Sequence, residues 1–205
     1  MPLIALIRHG ENDYVKKGRL AGRLPGVHLN DTGRQQALLL AEKLAGVPFK
    51  AIYSSPLERC METAQPLAEA LKLEILSRQG LIESNYGEWQ GQKIKGLSRL
   101  KAWKTVQHNP SRMRFPGGEN FAETQLRIVQ EIETIAGMHQ EKDVVACFSH
   151  ADPIRLAAAF YIGQPLDLFQ RLVVSPASVT ALHISEAGCR LLALNYDFSF
   201  LQGIS

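Results

Sequence analysis

Two histidines and two arginines, far apart in the chain, stand where short apolar runs end. Leu3-Ile-Ala-Leu-Ile7 leads into Arg8-His9-Gly10. Ala51-Ile-Tyr-Ser54 leads into Ser55-Pro56, with Arg59 in the following turn. Val144-Val-Ala-Cys-Phe148 leads into Ser149-His150. These residue types suit phosphoryl chemistry. A guanidinium offers a planar fork of donors that fits phosphate oxygens. A neutral imidazole is a nucleophile that can be aimed at phosphorus. Cations around His9 disfavour its protonation and so keep the attacking nitrogen free. Any one of these residues alone reads as a structural histidine or a surface ion pair. They converge only if the three runs are parallel strands of one sheet.

The patterning supplies that condition. Leu3–Ile7 is apolar without alternation, as in a strand buried on both faces. Ala37, Leu40, Ala41 and Leu44 form one helical face, with Asn30 or Asp31 to cap it and Gly46 and Pro48 to end it. Ser55-Pro56 reads as N-cap and first position of the next helix. Ile128, Ile132, Ile135 and Ala136 mark a helix over roughly 119–139. Pro153 falls where the first turn of a helix tolerates it, and that helix runs to about Ile162. Val173-Val174, Val179–Ile184 and Arg190–Asn195 are further strand candidates. The alternation predicts an α/β domain in three layers, a mostly parallel central sheet with helices on both faces and right-handed crossovers. The carboxyl ends of its parallel strands would share the edge where ligands of such sheets bind. Helix N-termini add donors at that edge.

Composition narrows the class. The chain has 205 residues, 45% apolar and 21% charged, which excludes disordered, collagen-like and coiled-coil proteins and fits one domain over 1–205. A formal charge of +3 is too small to argue for nucleic acid. Cys60, Cys147 and Cys189 are odd in number and lack a CxxC pair. They predict a reducing compartment, the cytoplasm, and no metal site. The apolar stretch before Arg8 is too short for a signal peptide, and no run nears the roughly 18 residues of a membrane span. One segment is unusual: Trp89 to Gly118 has no Asp or Glu but carries Lys93, Lys95, Arg99, Lys101, Lys104, Arg112 and Arg114. Without those seven cations the formal +3 becomes −4. The segment reads either as a contributor to an anionic ligand site or as a solvated helix face with Leu97, Leu100 and Trp103 packed inward. Positions 84–118 are expected to be an inserted segment covering the active site.

An ordered set of motifs carries a resemblance. Leu6-Ile-Arg-His-Gly-Glu11 is followed by Gly18-Arg-Leu-Ala-Gly22 and Leu29-Asn-Asp-Thr-Gly33. Next come Tyr53-Ser-Ser-Pro-Leu-Glu-Arg59 with Thr63-Ala64, then Leu81-Ile-Glu83 with Tyr86-Gly-Glu-Trp-Gln-Gly91. Pro116-Gly-Gly-Glu119 and Phe148-Ser-His150 with Ile154-Arg155 close the series. Over nearly its whole length the chain resembles the histidine phosphatase superfamily, in its phosphoglycerate-mutase-like branch. The resemblance implies that branch's fold and a phosphoryl-transfer enzyme without metal or organic cofactor. It implies His9 as the nucleophile of a phosphohistidine intermediate, and Arg8, Arg59 and His150 as holders of the phosphoryl oxygens. Glu83 would be general acid for the leaving group and then base for the acceptor. Asn12, Ala21 and Gly22 would join Arg8, Arg59, Glu83 and His150 in binding substrate.

Two departures stand out. Asn12 and Val15 occupy positions where many relatives carry Ser or Thr and then Asn. Ala151-Asp152-Pro153 follows the second histidine where relatives often have Gly; Asp152 could cap the helix, orient His150 or compete with Glu83 as acid. The leading expectation is a phosphomonoester hydrolase acting on a small phosphorylated metabolite. A phosphoglycerate-type mutase, a protein phosphohistidine phosphatase and a non-enzymatic phosphate-recognition module are the alternatives. The compact 83–117 interval looks more like the phosphatases than the longer mutases. Neither nucleic acid nor membrane is expected as a partner, and a homodimer is left open.

Overall fold

A computed structural model describes residues 2–185 and 187–197. The first apolar run becomes an interior strand of a six-stranded sheet, β1 (Leu3–Arg8). With β2 (Phe49–Ser54), β3 (Ile75–Ser77), β4 (Val144–Ser149), β5 (Val179–Ser185) and β6 (Gly188–Tyr196) it forms the order β3-β2-β4-β1-β5-β6. Strands β3, β2, β4 and β1 run parallel. β5 is antiparallel to β1, and β6 to β5. The helices are α1 (Asp13–Lys16), α2 (Asp31–Leu44), α3 (Glu58–Leu71), α4 (Ile94–Leu97), α5 (Lys101–His108), α6 (Phe121–Gly137) and α7 (Ala151–Tyr161).

Successive strand side chains point to opposite faces, and this explains the unbroken apolar runs. Ile4 and Leu6 join Val145 and Cys147 against Ile128, Ile132, Ile154 and Ala157 of α6 and α7. Ala5 and Ile7 join Ala146 and Phe148 against Leu40, Ala41, Ala64 and Leu67 of α2 and α3. Both faces are therefore covered, as the sequence predicts. Asn30 caps α2, its side chain accepting from Gly33 N at 2.9 Å. Asn120 and Glu123 close a reciprocal capping box on α6, which fixes that helix inside the expected 119–139 range.

Several expectations are corrected. Ser55-Pro56 does not open α3: the cap position is Leu57, without a side-chain bond. The Ser55 hydroxyl accepts from Leu57 N at 3.4 Å, just before the helix, and lies 2.8 Å from His150 Nε2. Val173-Val174 is not a strand; the Val174 carbonyl accepts from Arg8 Nη1 at 2.7 Å, and Val173 is exposed. Asp152 does not cap α7, whose cap position is His150. The short edge strand β3 has too few residues to show a period.

Positions 84–118 contain α4, α5 and single helical turns. Trp89, Leu97, Val106, Met113 and Phe115 pack with Phe121, Leu156 and Phe169 into a third apolar cluster. All seven cations of the segment are exposed. Leu97 is buried and Trp103 half-buried, but Leu100 is 45% exposed, so it does not pack inward as expected.

Candidate active site

The parallel strands deliver His9 and His150 to one edge. His9 N donates to Ser149 O at 3.0 Å, which locks the two strand ends together. His9 is buried, and its Nδ1 lies 2.7 Å from Gly10 O. A carbonyl can only accept, so this bond assigns the ring proton to Nδ1 and leaves Nε2 with its lone pair. The loop beneath is held as closely as glycine permits. A Cβ on Gly10 would lie 2.7 Å from Gly33 O, and one on Gly33 would lie 2.0 Å from Glu11 O. Gly10 N donates to Thr63 Oγ1 at 3.0 Å, and the Thr63 hydroxyl donates to Arg59 O at 2.6 Å. The His9 loop is thus pinned by the first turn of α2 and the second turn of α3.

Arg59 is 1% exposed. Its Nη2 donates to Gly22 O at 2.8 Å and to His150 Nδ1 at 3.0 Å. His150 is fully buried, with its ring centroid 5.2 Å from that of His9. Accepting at Nδ1 leaves its proton on Nε2, directed at Ser55 Oγ. Asn12 turns its Oδ1 to Val15 N, 2.9 Å away. Arg59 Nε and Nη1, Arg8 Nε and Asn12 Nδ2 are buried and have no hydrogen-bond partner among the described residues. Arg8, His9, Asn12, Ala21, Gly22, Arg59 and Glu83 line one cavity of about 410 Å³. Buried donors without acceptors are costly. With Arg155 Nε, also buried and unpartnered at this cavity, they are five donors on three arginines and Asn12, and they make a site for an anion.

Glu83 lies at the same cavity. Its Oε1 accepts from Ser84 N at 2.9 Å, and Oε2 is 3.9 Å from His150 Nδ1. Its backbone carbonyl is gripped by Arg23 Nε at 2.8 Å and Arg127 Nη2 at 3.3 Å. Both arginines also meet the Glu119 carboxylate, so a half-buried ionic cluster fixes where Glu83 stands. Burial, and then the negative charge of Asp152, push the Glu83 carboxyl up to about 7. Burial, Arg59 and Arg8 hold His9 well below the ordinary imidazole range. Burial and Arg59 do the same to His150. The site therefore holds a neutral imidazole and a carboxyl half-protonated near neutrality, the combination that nucleophilic and acid–base chemistry require.

Asp152 lies in the first turn of α7, where its Oδ2 accepts from Tyr86 O–H at 2.8 Å and its Oδ1 from Arg155 Nη1 at 3.2 Å. It is thus held away from the role of helix cap and acts on Glu83 through its charge. The structure brings together all the residues singled out in the sequence: Arg8, His9, Asn12, Ala21, Gly22, Arg59, Glu83 and His150. Sequence reasoning missed the supports: Ser55 behind His150, Thr63 under Gly10, and Arg23, Arg127 and Glu119 around Glu83. Ser55, Thr63 and Glu119 lie in the quoted motifs, which was the available signal. Arg127 has none, being one charge on an amphipathic helix.

The histidine phosphatase superfamily (branch 1) family model matches residues 4–197, and the chain belongs to that superfamily. Phosphoserine phosphatase 1 of Hydrogenobacter thermophilus is 31% identical over 197 residues, covering 95% of this chain and 92% of the relative. The 2,3-bisphosphoglycerate-dependent phosphoglycerate mutase of Thermoplasma acidophilum is 30% identical over 198 residues, with coverage of 95% and 92%. Among solved structures, Bacillus stearothermophilus YhfR superposes with a TM-score of 0.89 at 24% identity, covering 96% of this chain and 98% of that one. The fold is thus that of its family, and the sequence expectation of family and fold holds.

Proposed function

We propose that this protein is a metal-independent phosphomonoester hydrolase working on small phosphorylated metabolites through a phosphohistidine. The observation that carries this reading is the His9 Nε2 lone pair set among unmet donors of Arg8, Arg59 and Asn12. In the first step Nε2 forms a bond to phosphorus as the P–O ester bond breaks. Arg8, Arg59 and Asn12 hold the phosphoryl oxygens, His150 positions Arg59 by accepting from it at Nδ1, and the fixed charge of the two arginines stabilises the transition state. Glu83, protonated, gives its proton to the departing alkoxide. In the second step the Glu83 carboxylate takes a proton from water, whose oxygen attacks phosphorus and breaks the P–N bond. Inorganic phosphate leaves and His9 is restored. Ala21 and Gly22 bound the substrate beside Arg59.

The chain serves this chemistry as one domain, 1–205, whose positions 84–118 cover the cavity. Ile94, Trp103, Val106 and Phe115 of that segment line it, which supports the reading. The free thiols of Cys60, Cys147 and Cys189 support a reducing compartment, the cytoplasm. A small phosphorylated substrate is the partner the site requires.

The test is release of inorganic phosphate from small alkyl phosphates in the presence of a chelator. Turnover is expected with the chelator and lost with His9→Ala. The mutase relative makes phosphorus NMR with 3-phosphoglycerate the second arm: free phosphate accumulating supports the hydrolase, and isomer exchange without it supports a mutase.

A further inference from the structure

Beyond its phosphoryl end the cavity changes character. Apart from the phosphoryl residues it is lined by Leu20, Ile94, Trp103, Val106, Phe115 and Phe121, with Gln107 and Gln170 as uncharged polar neighbours. Trp103 is half-buried and stacks on Trp89, with ring centroids 6.1 Å apart. Among the described residues, the cations lining the cavity are Arg8, Arg19, Arg59 and Arg155. Arg8 and Arg59 carry unmet donors beside His9, and their two charges match a phosphoryl dianion. Arg155 pairs through Nη1 with Asp152 at 3.2 Å, a carboxylate that also accepts from Tyr86 O–H, while its buried Nε is a further donor without a partner and its charge is felt at Arg8. Arg19 is exposed, its guanidinium 5.9 Å from the centre of the Tyr14 ring. None of the seven cations of Trp89–Gly118 lines the cavity. The lining cations with unmet donors, Arg8, Arg59 and Arg155, therefore belong to the phosphoryl end, and the apolar wall adds none. About 410 Å³ is room enough for a ring beside a phosphoryl group.

We infer, resting on the phosphatase reading above, that the preferred substrates are monophosphate esters of uncharged alcohols with an apolar, ring-sized body packed against Trp103 and its neighbours. Phosphorylated amino acids and hydroxy acids fit less well, because their carboxylate would be desolvated against carbon. This choice of substrate resides in the apolar side of the inserted segment. Its cations face solvent and take no part.

The experiment compares kcat/KM for 2-phenylethyl phosphate, ethyl phosphate and O-phosphoserine. All three leave as primary alcohols, so the comparison reads the far wall more than leaving-group chemistry. The phenylethyl ester is expected to exceed each of the others by about tenfold or more. Trp103→Ala is expected to narrow the phenylethyl-to-ethyl ratio by at least about threefold, and Trp103→Phe to restore much of it. A wild-type preference for O-phosphoserine, or equal rates for the ethyl and phenylethyl esters, would overturn this inference and leave the phosphatase reading standing. Failure of all three esters to turn over would overturn both.

Discussion

Asp152→Asn tests how this site keeps a carboxylic acid protonated near neutral pH. Asparagine keeps the shape of the side chain and can still accept from Tyr86 O–H, so the change removes one charge and the bond from Arg155 Nη1. Glu83 stands at about 7, raised chiefly by burial and next by Asp152. Without that negative neighbour the Glu83 carboxylate is favoured and its pKa falls. Arg155, losing its counter-charge, pushes it the same way. A fall to about 6 corresponds to ~1.4 kcal/mol. At about pH 7.5 the protonated fraction of Glu83 then drops from roughly a quarter to about one thirtieth, an approximately eightfold loss. Protonated Glu83 is needed for the leaving group, so the alkaline arm of kcat/KM moves to lower pH. The profile must be measured with an alkyl phosphate, whose alkoxide needs a proton. With p-nitrophenyl phosphate the leaving group departs unaided and the displacement should shrink. Ionisation of the substrate is common to both proteins and cancels in the comparison. An alkaline arm that stays in place, or moves upward, would refute the reasoning.

Three further outcomes follow from the same geometry. Glu83→Gln removes the proton donor and should lower kcat on alkyl phosphates by about 10²- to 10⁴-fold, with a smaller loss on p-nitrophenyl phosphate; equal losses on both would count against its role. Arg59→Lys keeps the charge but loses the fork that spans Gly22 O, His150 and the cavity, so steady-state kinetics should show a fall of about 10²- to 10³-fold. Ile132→Ala, in the fully buried core of α6, should destabilise by ~2–5 kcal/mol in urea unfolding, with little change in activity per folded molecule.

Much of this architecture could be read from the chain because its strands advertise themselves. Runs such as Leu3–Ile7 and Val144–Phe148 are apolar throughout since each feeds two cores. The residues that follow them are polar at the one edge where a parallel sheet exposes its ends, which made Arg8, His9, Arg59 and His150 legible. Other features depend on contacts between distant segments. Ser55 has the sequence context of a helix cap, yet tertiary structure sets it against His150. Val174 is β-branched, yet its carbonyl serves Arg8. For the cations of Trp89–Gly118 an anion site and a solvated face both stayed open, because sequence gives charge without orientation. Folding turned them to solvent and turned Ile94, Trp103 and Val106 to the cavity.

The central claim is that His9 accepts the phosphoryl group. Rapid quenching at alkaline pH during turnover, followed by peptide mass spectrometry, addresses it directly. One phosphoryl group on the His9 peptide, labile to acid and absent from His9→Ala, is the predicted result. A label on another residue, or undiminished turnover by His9→Ala, would contradict the account.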